Sequence, residues 1–99
     1  MNRITNKDLE AVVGRINRAM GAPAEPYRQV DGRVVANIGN YHISGAYGGV
    51  SLHRMENEGG GVQDVFRSGH GTKRELYEKM HAFLAGIEAE QRKNEGTQQ

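Results

Sequence analysis

The sequence predicts an α+β fold: an N-terminal helix, an antiparallel β-meander of about four to five strands, and a C-terminal helix, with the helices packed on one sheet face. Two observations carry this. Apolar residues recur at helical spacing near each end, and the middle is broken into short runs by turn chemistry. Residues 1–90 form a single domain on this reading, and residues 91–99 form a polar tail without an apolar side chain, which predicts fraying.

In the first helix Leu9, Val12, Val13, Ile16 and Met20 share one face. Thr5 is its N-cap with Asp8 at the third position, Ile4 and Leu9 form a hydrophobic staple, and Gly21 and Pro23 end it. Arg28 to Val30 and Arg33 to Ile38 flank Asp31-Gly32, a two-residue hairpin signal. Tyr41 to Tyr47 and Val50 to Met55 flank Gly48-Gly49, and Val62 to Arg67 follows the loop Asn57 to Gly61. With Gly48-Gly49 as the turn, Ile43, Tyr47, Val50 and Leu52 share one face, while His42, Ser44, Ser51 and His53 share the other. The second helix runs from Thr72 to about Glu90 on a stripe of Leu76, Tyr77, Met80, Phe83, Leu84 and Ile87.

Composition narrows the function classes. A chain of 99 residues builds one modest core, which oligomerisation would support, and its zero cysteines exclude disulfides and thiolate metal sites. No run reaches membrane-spanning length and the N-terminus lacks a signal-peptide core, so the expected location is a reducing cytoplasm. A formal charge of +1 argues against duplex nucleic-acid binding and leaves local anion binding open.

The stretch Gly69-His70-Gly71-Thr72-Lys73-Arg74-Glu75 is the first candidate site. Thr72 and Glu75 have capping-box spacing, which by itself accounts for those two residues. It does not account for Lys73 and Arg74 in a first turn where the helix dipole disfavours cations. A phosphate on the amides of the helix start, clamped by Arg74 and Lys73 beside His70, Gly71 and Thr72, would resolve that conflict.

The glycine-rich run Tyr41 to Gly61 is the second. Its glycines serve as hairpin turns, or also admit a flat ligand that stacks on Tyr41 or Tyr47 and is read by Asn57. His42, His53, His70 and His81 lack the spacing of a metal motif, and Glu56, Glu58, Asp64 and His70 form no acid–base pair recognisable from sequence. No cofactor, metal or catalytic residue is therefore expected. His81 and Tyr77, beside the apolar stripe, read as packing residues.

The segments "DLEAVVGRINRAMGAPAEPY", "GNYHISGAYGGVSLHRMENEGGG" and "GHGTKRELYEKMHAFLAGI" resemble small proteins of bacteriophages and prophages, over roughly Ile4 to Ile87. Within that group the chain resembles the Thoeris anti-defence sponges of the first type. The resemblance implies terminal helices around an antiparallel sheet, assembly as dimers or higher oligomers, and sequestration of cyclic ADP-ribose isomers made by bacterial immune enzymes. It makes Tyr47 the aromatic that stacks on adenine, Asn57 the polar reader and Arg74 the phosphate-binding arginine. The chain departs from the family on its last helix, where Glu78 stands and no second arginine can be placed. Cyclic oligonucleotides held between subunits are also implied, with Arg28, Arg33 or Arg54 as their contacts.

The expected function is sequestration of a small cyclic nucleotide immune signal, without turnover, by a cytoplasmic phage anti-defence protein. The alternatives are a protein-interaction inhibitor of the anti-CRISPR kind and a nucleotide hydrolase.

Overall fold

The computed structural model describes residues 3–96. In chain order it contains α1 (Asn6–Met20), β1 (Tyr27–Val30), β2 (Arg33–Ala36), β3 (Tyr41–Ala46), β4 (Gly49–Met55), β5 (Val62–Asp64) and α2 (Lys73–Gly96). This is the α+β order that the sequence predicts. Among the described residues no helix is long and apolar enough to cross a membrane.

Local chemistry sets the helix limits. The Thr5 hydroxyl accepts from the Asp8 N–H at 3.2 Å and the Asp8 carboxylate accepts from the Thr5 N–H at 2.9 Å, a closed capping box. Gly21, left-handed at φ 66°, closes the other end. Helix α2 continues past Glu90 to Gly96 where a fraying tail is predicted, and residues 97–99 lie outside the described part. Gln91 shows one reason: its Nε2 donates to the Ala19 carbonyl at 2.6 Å and ties the helix to the end of α1.

The strands form two sheets where the sequence suggests one meander: β1-β2, and β3-β4-β5, all antiparallel. The division falls at Asn37 to Asn40. The Asn37 N–H donates to the Pro26 carbonyl at 2.8 Å and its Nδ2 to Glu25 at 2.8 Å, while Asn40 Nδ2 donates to Pro23 at 2.9 Å. These bonds turn the chain back on the α1–β1 connection, so β1-β2 leaves the body as an arm. Strand β1 is exposed along its whole length.

Both helices lie on one face of the three-stranded sheet. Leu9, Val12, Val13 and Ile16 of α1 meet Leu76, Met80 and Leu84 of α2 over Tyr41, Val50 and Leu52. Phe83 links this core to the β5–α2 loop through ring contacts with Tyr41 at 6.0 Å and Phe66 at 5.7 Å. The molecule measures 47 × 41 × 22 Å, and its radius of gyration is 14.9 Å. A compact chain of about 100 residues is near 13 Å. The arm and the long α2 account for the difference.

Candidate functional site

The β3-β4 turn decides where Tyr47 goes. Ala46 pairs with Gly49, so the turn residues are Tyr47 and Gly48, one position before the Gly48-Gly49 pair that the sequence suggests. Both have positive φ, 54° and 73°, as a type I′ turn requires. Moving a two-residue turn by one position changes each partner by two residues, which preserves the faces. His42 therefore pairs with His53 and Ser44 with Ser51, on the face away from the helices. Tyr47 leaves the strand, however. Its side chain does not join Ile43, Val50 and Leu52 but stands at the tip, 98% exposed.

His70 reaches the same face from the other side. Gly71 forms an antiparallel bridge with Val50, with N–H to carbonyl distances of 2.8 and 3.0 Å, and so extends the third-strand edge of β4. Alternation then places His70 over the polar face. Its Nε2 lies 3.3 Å from Ser44 Oγ, and its ring is 5.9 Å from His53 and 6.1 Å from Tyr47. His53 is in turn 6.0 Å from His42. Four rings, Tyr47-His70-His53-His42, thus run in edge contact along the sheet.

Hydrogen bonds fix this row. His42 Nδ1–H donates to Asn40 Oδ1 at 3.2 Å, with the Asn40 amide oriented by its own bond to Pro23. Burial, and then the neighbouring His53, hold the His42 pKa below its ordinary value. Asp64 lies opposite His53 in the β4-β5 register. Burial would raise its pKa, but hydrogen bonds from Gly69, the Ser51 hydroxyl, Arg67 and Phe66 outweigh it and hold the pKa low. Those bonds also end β5 at Asp64, short of the Arg67 that the sequence suggests.

The helix start carries the capping box that the sequence predicts. Thr72 caps α2, and Glu75 Oε1 accepts from the Thr72 N–H at 2.9 Å while Glu75 N–H donates to Thr72 Oγ1 at 3.1 Å. The Glu75 carboxylate thus takes the cap amide of Thr72, as the capping-box spacing predicts. Its pKa is lowered by the Thr72 backbone, then by the Thr72 hydroxyl. The absence of a side chain at Gly71 leaves room for this arrangement, because a Cβ there would lie 2.9 Å from Glu75 Oε1.

Lys73 and Asn57 lie apart from this row. Lys73 lines a groove of 370 Å³ with Asn6, Glu10, Ile43, Gly45 and Gly49, on the helix-covered side and hence across the sheet from His70. Arg74 is exposed on the first turn of α2. Asn57 lies beyond the far end of β4, a strand of seven residues and so roughly 20 Å long, which separates it from Tyr47 within one chain. There its Oδ1 accepts from the Gly61 N–H at 3.0 Å. Arg28 bonds Asn37 at 2.5 Å and Glu58 at 3.2 Å, and Arg54 bonds Glu56 at 2.6 Å. Of the expected ligand residues, the structure brings Tyr47 and His70 into direct contact.

Sequence reasoning places His42 and His53 on one face but does not find His70 above them, because that approach depends on the Gly71–Val50 bridge. Among the described residues no group of three or more histidine, aspartate or glutamate side chains is arranged to hold a metal ion. No family model, curated protein or solved structure matches this chain.

Proposed function

We propose that the protein is a non-enzymatic phage anti-defence factor that sequesters a small cyclic nucleotide. The base lies against Tyr47 and His70, and the ribose and phosphates extend along His53, His42 and Ser44. The observation that carries this reading is the Tyr47 ring, held out by a left-handed turn and continued by three imidazoles. Exposed rings accept bases by stacking, while imidazole N–H and hydroxyl groups supply hydrogen bonds to the sugar and phosphate. The test is thermal melting against cyclic ADP-ribose isomers and cyclic di- and trinucleotides, with chromatography of recovered ligand. A shift with intact ligand supports sequestration; altered ligand would establish an enzyme, and no shift across the panel would end the nucleotide reading.

The β1-β2 arm favours a second reading, inhibition of a host protein complex by direct contact. A two-stranded hairpin is marginal in water by itself, and this one, tied at Glu58 by the Ala36 N–H and Arg28, leaves Tyr27, Val30 and Val34 exposed, with Ile38 exposed just after it. Such a surface suits a protein partner. Val34→Glu would abolish partner binding on this reading and leave nucleotide-induced melting shifts unchanged.

A further inference from the structure

The loop that carries His70 is held to the sheet by a carboxylate, an imidazole and a backbone bridge. It spans residues 65–71 and follows Asp64, which is bonded to the hydroxyl of the buried Ser51. Asp64 anchors it, with Oδ2 accepting from the Gly69 N–H at 2.9 Å and Oδ1 from the Arg67 N–H at 3.2 Å. His70 anchors it through Ser44, and the Gly71–Val50 bridge fixes its end. Its backbone includes Arg67 in the left-handed region at φ 55°, a conformation that persists only where the surroundings impose it.

Three titratable groups from three directions face His53. His42 comes from β3, Asp64 from β5 and His70 from the loop itself. Arg54, the next residue along β4, belongs to the opposite face and is paired with Glu56.

We propose that this cluster is a proton-operated latch, closed when the imidazoles are neutral and opened when they are protonated. A proton on His53 places a cation opposite the Asp64 carboxylate and draws it from the Gly69 and Arg67 amides. A second proton, on His70, sets like charges on rings 5.9 Å apart. Both events release the same loop and separate His70 from Tyr47. Burial, and then His53, hold the His42 pKa low, so a second charge on His42 is disfavoured. This latch does not depend on the nucleotide reading, since every group in it belongs to the chain.

The test is amide hydrogen exchange on the ¹⁵N-labelled full-length protein between pH 7.5 and 5.5, with rates corrected for intrinsic exchange. Protection of Arg67 and Gly69 should fall at least tenfold across that range while Met80 and Leu84 in α2 keep theirs. His53→Gln should remove the fall. Loop protection that stays constant, falls equally in His53→Gln, or falls in step with Met80 and Leu84 would overturn the latch. If His53→Gln does not fold, comparison of loop and core amides in the unaltered protein decides the question alone.

Discussion

The side-chain amide of Asn17 is bonded at both ends to the backbone of Tyr41: Oδ1 accepts from its N–H at 2.8 Å and Nδ2 donates to its carbonyl at 3.0 Å. One side chain of α1 thus substitutes for a neighbouring strand at the start of the β3 edge. The contact is buried, with Asn17 3% exposed, so both backbone groups would be stranded without it.

Asn17→Ala should therefore destabilise the fold by about 2–4 kcal/mol, the cost of leaving two buried backbone groups unsatisfied. Urea denaturation measures it. A loss below about 0.5 kcal/mol would mean that water replaces the amide at little cost.

Tyr47 separates stability from function. A bulky residue with φ of 54° in a type I′ turn is unfavourable, and the side chain is almost fully exposed. Tyr47→Asn should raise stability by about 0.5–1 kcal/mol by relieving the backbone. Under the proposed function it should also abolish nucleotide binding. A variant that is more stable and still binds would remove Tyr47 from the site.

Gly49 and Gly45 differ in what surrounds them. A Cβ on Gly49 would lie 2.8 Å from the Gly71 carbonyl oxygen and 3.0 Å from the His70 carbonyl carbon, whereas one on Gly45 meets only the Gly49 oxygen at 3.8 Å. Gly49→Ala should cost about 1–3 kcal/mol through displaced backbone, and Gly45→Ala should be neutral or slightly stabilising. Equal melting temperatures for the two variants would contradict the close packing of Gly71 on β4.

Stability should fall with acidification in two stages. His42 has a folded-state pKa below its ordinary 6.5, so the unfolded chain takes up the proton first. Stability is lost as pH falls from about 6.5 to the folded value, with no further loss from this group below it. Asp8, Asp64 and Glu75 are also lowered, from ordinary values of 3.8, 3.8 and 4.5. Their stabilisation is complete above those values and disappears as pH falls through the folded ones. Denaturation from pH 8 to 2 should show both stages, with His42→Gln flattening the first and Asp64→Asn reducing the second. A profile unchanged in both variants would remove these groups as its cause.

Much of this architecture is legible from local chemistry. The capping boxes at Thr5 and Thr72, the left-handed Gly21, the Asp31-Gly32 hairpin and the two apolar stripes act within a few residues and need no tertiary context. Even the turn that moves from Gly48-Gly49 to Tyr47-Gly48 leaves the faces of β3 and β4 intact, because side chains alternate with a period of two. Asn17 follows Ile16 of the apolar stripe, but that it is buried, and so must find partners, is a tertiary fact. Its partner, Tyr41, lies 24 positions away, beyond the reach of local chemistry.

The candidate site was less legible because its members meet through long-range backbone pairing. His70 reaches His53 and Tyr47 only because Gly71 pairs with Val50 and Asp64 holds the loop. The separation of Asn57 from Tyr47, and of Lys73 from His70, follows from the length and two faces of β4. Periodicity and cap chemistry, being local, determined the elements and their buried faces. Which ends of those elements come together depends on strand register and loop anchoring, and tertiary structure alone decided it.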